Sequence, residues 1–203
     1  MEYIPTPNLL RIMVQAKADN EMRAWVREAV LLRIEQLRKN REEDKLEAMR
    51  VLFKAVDEHY AESDQQTTCK KGCNFCCRMN VDASMDEAAL IIQYCKDHGI
   101  AINKKALRDR LSVPFLEVPW SKHAACMFLK DGECSIYPVR PLNCRTYYAQ
   151  SDPDRCNPEK YRFDAYKPVI IIDRDIEILQ TAFFNLVLEE AGRLEEMLLA
   201  QLS

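Results

Sequence analysis

The stretch Cys69-Lys70-Lys71-Gly72-Cys73-Asn74-Phe75-Cys76-Cys77 places four thiols within nine residues, with one glycine that frees the backbone to wrap around something. Thiolates are soft ligands that bind zinc tetrahedrally or hold iron–sulfur clusters. Such sites are divided between a short knuckle and cysteines further along the chain. The further cysteines are Cys126, Cys134, Cys144 and Cys156. The ninth, Cys95, sits among Ala88, Leu90, Ile91, Ile92 and Tyr94 and reads as a small core residue. The count is odd and the start Met-Glu-Tyr-Ile-Pro-Thr-Pro has no basic segment followed by an apolar one, so the expectation is an unexported, cytoplasmic chain with reduced thiols. Clustered cysteines in that setting predict metal ligands rather than a disulfide framework.

A divalent zinc held by four thiolates, or an oxidised four-iron cluster held likewise, carries about −2 overall. That charge calls for cations nearby, and Lys70, Lys71, Arg78, Arg140 and Arg145 flank the cysteines. Arg140 and Arg145 are the residues expected to neutralise or tune the centre, because a guanidinium fork suits fixed hydrogen bonds. His123 lies three residues before Cys126 and could ligate by spacing, but with so many cysteines a hydrogen-bonded or solvated role is expected; His59 and His98 look peripheral. Tyr137, Tyr147 and Tyr148 read as shields against water. The neighbours Cys76 and Cys77 leave three options: a vicinal disulfide, a sulfur bridging two metal ions, or ordinary ligation.

Outside the cysteines the chain is unexceptional, with 203 residues, 48% hydrophobic and 30% charged, enough to bury a sizeable core. A net charge of −3 lacks the basic excess of a nucleic-acid binder, so no nucleic-acid partner is expected. No apolar run approaches the roughly 18 residues that cross a bilayer, so no membrane association is expected either. Four glycines are too few for a phosphate-cradling loop or a Gly-x-Gly-x-x-Gly turn. No nucleophile elbow or paired-histidine arrangement suggests a hydrolase, and no catalytic residue is assigned.

No proline lies between Pro7 and Pro114, whereas seven fall from Pro114 to Pro168, so helices are expected outside that window. Met22, Val26, Val30, Ile34 and Leu37 recur at helical spacing, and so do Leu46, Met49, Phe53, Val56 and Tyr60, which together predict a helical hairpin. Ser84 followed by Glu87 is a capping box for a helix that stops at Gly99. Val113 to Lys167 reads as irregular structure held by metal. Val169 to Ile172 reads as a short strand or lead-in, and Ile176, Leu179, Phe183, Leu186, Ala191, Leu194 and Leu198 mark one long closing helix. The fold class is mainly α: a hairpin over 1–66, a cysteine-cluster region over 67–167, and a closing helix over 168–203 that packs on the hairpin.

Three blocks carry a resemblance: the knuckle Cys69 to Cys77, then Cys126-Met127-Phe128-Leu129 with Asp131-Gly132-Glu133-Cys134-Ser135-Ile136-Tyr137, then Arg140-Pro141-Leu142-Asn143-Cys144-Arg145. In this order they resemble the CxxCxxCC family, also called the YkgJ family, whose members are described as chelating zinc or iron. The chain departs from the family pattern at Met127, where proline is frequent, and by three residues rather than two between the first cysteines; neither departure removes a ligand. The resemblance implies a cysteine-bound zinc or iron centre and leaves the reaction open, although a related branch includes flagellin lysine N-methylases.

Three functions compete. The first is a metal-binding protein whose zinc or iron–sulfur centre is structural or redox-active. The second is a cluster-dependent enzyme, such as a protein lysine methylase or oxidoreductase. Cys69-x3-Cys73-x2-Cys76 matches the spacing of radical S-adenosylmethionine enzymes, but the repeated strand-and-helix units of that fold are missing from the sequence pattern. The third is an interaction module, shaped by a structural metal, whose helical faces take a protein partner.

Overall fold

A computed structural model describes residues 28, 42–62, 66–114, 122–157, 160, 168–177, 179–180 and 191–203. The expected helix over Met22 to Leu37 falls almost entirely outside the described residues. Its expected partner is helix α1, Glu42–Glu62, whose Met49, Leu52, Phe53 and Val56 form a buried stripe, with Leu46 and Tyr60 packed beside it. Steps of three and four along that stripe put all of these side chains on one face.

Strand β1, Asp82–Ser84, runs directly into helix α2, Met85–Asp97. The start of α2 is fixed by a reciprocal cap: the Glu87 amide donates to the Ser84 hydroxyl at 3.2 Å, and the Ser84 amide donates to the Glu87 carboxylate at 2.6 Å. Asn103 caps helix α3, Lys104–Leu111, by accepting from the Ala106 amide at 3.0 Å. Strands β2, Leu129–Lys130, and β3, Glu133–Cys134, form a short antiparallel hairpin. Its two-residue turn has positive φ at both Asp131 (49°) and Gly132 (82°), the geometry that matches strand twist. Helix α4 is Leu142–Thr146.

The chain end differs from expectation. Residues 174–177 and 179–180 are helical, but Ala191–Arg193 form strand β4, antiparallel to β1 with Gly192 opposite Ala83, and helix α5 covers only Leu194–Gln201. The closing helix is therefore interrupted, because the 191–193 backbone pairs with β1 and the Leu194 amide donates to Val81 at 2.8 Å. Helix α5 packs on α2 and α3, while α1 packs on α2 and α4. Between 168 and 172 there is a single bridge, Ile170 with Ala149, rather than a full strand.

One buried cluster spans Met49 to Leu198, crossing both expected boundaries at 66/67 and 167/168. The expected irregular region also contributes to it: Phe128, Ile136, Val139 and Leu142 are all buried there. Among the described residues the protein is helix-rich, with two 2-stranded sheets. No described helix is long and apolar enough to cross a membrane.

Candidate metal centre

Gly72, with φ of 86°, turns the chain between Cys69 and Cys73, a left-handed conformation that side chains resist. The next residues, Phe75–Arg78, form one 3-10 turn that carries Cys76 and Cys77. Opposite them, the Cys126 amide donates to the Cys77 carbonyl at 2.7 Å, which ties the start of the β2–β3 segment to the knuckle. The hairpin then returns Cys134 beside Leu129, and α4 presents Cys144. Seven cysteines, Cys69, Cys73, Cys76, Cys77, Cys126, Cys134 and Cys144, thereby line one cavity of about 940 Å³. Cys156 closes a 3-10 turn over Pro153–Cys156 and is buried outside the cavity lining. Cys95 is 2% exposed in the core and does not line the cavity.

The thiols differ in character. The Cys77 thiol bonds to the Cys76 sulfur, which draws Cys76 down to about 7 and holds the proton on Cys77. Burial pushes Cys126 up to about 11, against the opposing pull of Arg110, and raises Cys134 against Arg140. Burial also raises Cys73, with Cys69 and Cys76 adding to it and Lys70 opposing. Cys144 has exposed area, but that area faces the cavity, and the protein packed around its sulfur drives the thiol well above its ordinary value. Cys156 rises to about 11 through burial, followed by the charges of Cys73, Cys69 and Cys76.

Arg140 lies on the cavity wall, with its guanidinium 3.8 Å from the Tyr137 ring centroid and 3.1 Å from Asp57. Arg145 is turned toward α1: it pairs with Asp57, donates to the Pro138 carbonyl at 2.8 Å and lies 4.3 Å above the Phe53 ring. Tyr137, Tyr147 and Tyr148 all line the cavity. Lys71 reaches Glu133 at 3.2 Å, and Arg78 donates to the His123 carbonyl at 3.0 Å. His123 is buried and outside the lining. His98 is peripheral, stacked on Tyr94 at 3.9 Å.

His59 is not peripheral. It is buried and meets Asp173 at 2.7 Å; with Asp175 these form the one trio, among the described residues, whose potential ligand atoms all lie within 4.8 Å. Asp173 is also the cap of the following helical turn, accepting from the Asp175 and Ile176 amides at 3.0 and 3.2 Å. The cysteine sulfurs do not meet that 4.8 Å spacing in threes; they are set around a space rather than converged on a point.

Two supporting residues, Asp57 and Arg110, had no sequence signal that singled them out, and a third, Glu87, was legible only as a helix cap. Asp57 holds both arginines. Buried Arg110 bonds Glu195 at 2.5 Å and the carbonyls of Met79 and Ala124, fastening the knuckle to the Cys126 segment. Glu87, besides capping α2, accepts the Leu142 amide at 2.7 Å and so fixes the start of the Cys144 helix.

The donor set fits a thiolate-bound metal: soft sulfur ligands from separate chain segments, a basic side chain on the wall, and an amide, Ala149 N–H, donating to the Cys69 sulfur at 3.3 Å. No curated protein and no solved structure matches the chain. Residues 68–167 match the family model described as "CxxCxxCC: Putative zinc- or iron-chelating domain". That matched segment, just under half of the chain, holds all eight cysteines of the expected centre, so residues 68–167 are identified as a CxxCxxCC-family domain, described as zinc- or iron-chelating.

Proposed function

We propose that the protein holds an iron–sulfur centre on Cys69, Cys73, Cys76, Cys77, Cys126, Cys134, Cys144 and Cys156, and uses it in electron transfer. The observation that carries this reading is the placement of seven thiols around one cavity of about 940 Å³, wider than the convergence a lone ion requires. A cluster supplies its own inorganic bulk between the cysteines, whereas a structural zinc site is closed on a single ion. When bound, the cluster supplies an electron acceptor and donor. The chain's own residues would tune it: Arg140 and Lys70 favour the anionic form by charge, and the Ala149 amide does so by its bond to Cys69.

Exposed apolar side chains favour a protein partner for that exchange. Tyr137 is 56% and Ile172 75% exposed, and both belong to the cavity wall. An apolar rim beside a redox centre suits a transient partner more than a water-filled substrate pocket.

The test is iron, zinc and acid-labile sulfide content of anaerobically purified protein, read with its visible spectrum. Iron with matching sulfide and broad charge-transfer absorption is the expected result. Colourless protein with stoichiometric zinc would turn the reading to a structural metal.

A further inference from the structure

We propose that His59, Asp173 and Asp175 form a second metal site, built from nitrogen and oxygen donors, that takes an exchangeable, oxygen-seeking divalent cation of the Mn(II) class. It is separate from the cysteine centre in residues and in chemistry, and it does not depend on what that centre holds.

The trio joins two segments 114 residues apart. His59 lies in the last turn of α1, and Asp173 and Asp175 stand at the start of the helical turn over 174–177. His59 Nε2 is 2.7 Å from Asp173 Oδ2, and one ligand atom from each of the three residues lies within 4.8 Å of the others. Bonds of about 2.1 Å to a shared ion put its donor atoms roughly 3–4 Å apart, so small side-chain adjustments close this set on one cation.

The two carboxylates alone would amount only to a helix start. Asp173 Oδ1 accepts the Asp175 and Ile176 amides at 3.0 and 3.2 Å, which is an ordinary cap. That cap leaves Asp173 Oδ2 facing His59. The separate observation is the imidazole, brought to the same point by another helix with its side chain 6% exposed, against an Asp173 side chain 8% exposed. A histidine and one carboxylate already satisfy each other. Asp175 sets a second negative charge beside them, and in so poorly solvated a place a cation shared by both carboxylates and the imidazole relieves their repulsion.

One imidazole with two carboxylates is a harder donor set than thiolate, and with water completing the shell it suits Mn(II) or a similar ion. The cysteines select soft metals, so the two sites sort metals by donor chemistry. Asp173 also lines the cysteine cavity, which gives the ion a route in. Three protein donors hold such an ion exchangeably, so it is loaded by added metal rather than carried through purification.

The test is Mn(II) titration of the full chain with its cysteine centre as purified, followed by the loss of the free Mn(II) EPR signal. One equivalent should bind. His59→Gln and Asp175→Asn should each weaken binding at least about tenfold, with cysteine-bound metal content and circular dichroism unchanged. No binding up to about 1 mM, the weak end of the range for carboxylate cation sites, overturns the site, as does binding by folded variants equal to that of wild type. Asp175 is half-buried and the cap rests on Asp173, so Asp175→Asn decides if His59→Gln fails to fold. Iron, zinc and sulfide content is read separately, so failure of this site and failure of the cysteine-centre reading remain distinguishable.

Discussion

Asp57 on α1 serves two guanidinium groups with one carboxylate, and its own side chain is 44% exposed while that of Arg145 is 1% exposed. Removing it leaves Arg145 buried without its counter-charge, a change that costs several kcal/mol in a dry site and less where water reaches the partner. Asp57→Ala should therefore lower stability by about 2 kcal/mol in urea unfolding, with Asp57→Glu recovering part of it. Cys95 offers the opposite kind of test, since burial alone lifts its thiol to about 11. Cys95→Ala should leave metal content unchanged and lower stability by about 1 kcal/mol at neutral pH. A thiol raised on folding keeps its proton longer than in the unfolded chain, so its contribution is whole below pH 9 and lost as pH rises through 11. The stability gap between wild type and Cys95→Ala should narrow over that window; a constant gap would show that the thiol is not shifted. The sequence made Cys95 legible because an isolated cysteine in an apolar run has few other uses. Asp57 was not legible, because one aspartate on a charged helix face looks like any other until the arginines arrive from more than eighty residues away.

At the scale of elements, α2 was readable to its first residue: Ser84 and Glu87 satisfy each other's backbone within one turn, without help from the rest of the chain. The second bond of Glu87, to Leu142, was unreadable because it depends on where α4 lands. The same distinction explains the closing helix. Leu194 and Leu198 do face the core, but periodicity cannot show that β1 recruits Ala191–Arg193 as its partner strand, and Gly192 was the only local hint. The β2–β3 hairpin lies in a stretch expected to be irregular, and its Asp131-Gly132 turn makes a sharp prediction. Gly132→Ala places a side chain at a φ of 82°, which should lower stability by about 1–2 kcal/mol. Because Cys134 follows directly, the variant should also lose metal more readily to a chelator. Unchanged chelator kinetics would separate the hairpin from the metal site.

Across the whole molecule, the cysteine region and the helices share one core: Cys126 and Cys134 pack against the same cluster that includes Phe53, Ile91 and Leu198. A metal that binds only the folded chain then stabilises all of it. Stripping the metal should lower Tm by about 10 °C in a single transition, the size expected for roughly 4 kcal/mol in a chain of this length. Two separate transitions would mean that the cysteine region unfolds independently of the helices. That the knuckle and its distant partners belong together was legible from sequence, and the structure brings seven of the eight thiols to one cavity while Cys156 lies outside its lining. What the sequence could not show is how the segments are tied, by backbone bonds such as Thr68 to Ala149 and Cys126 to Cys77.

The most direct test of the central claim is X-ray absorption at the metal edge of protein purified without added metal. A first shell made of sulfur alone, with metal-to-metal scattering behind it, is the predicted result. A shell of nitrogen and oxygen, such as His59, Asp173 and Asp175 would provide, would contradict it.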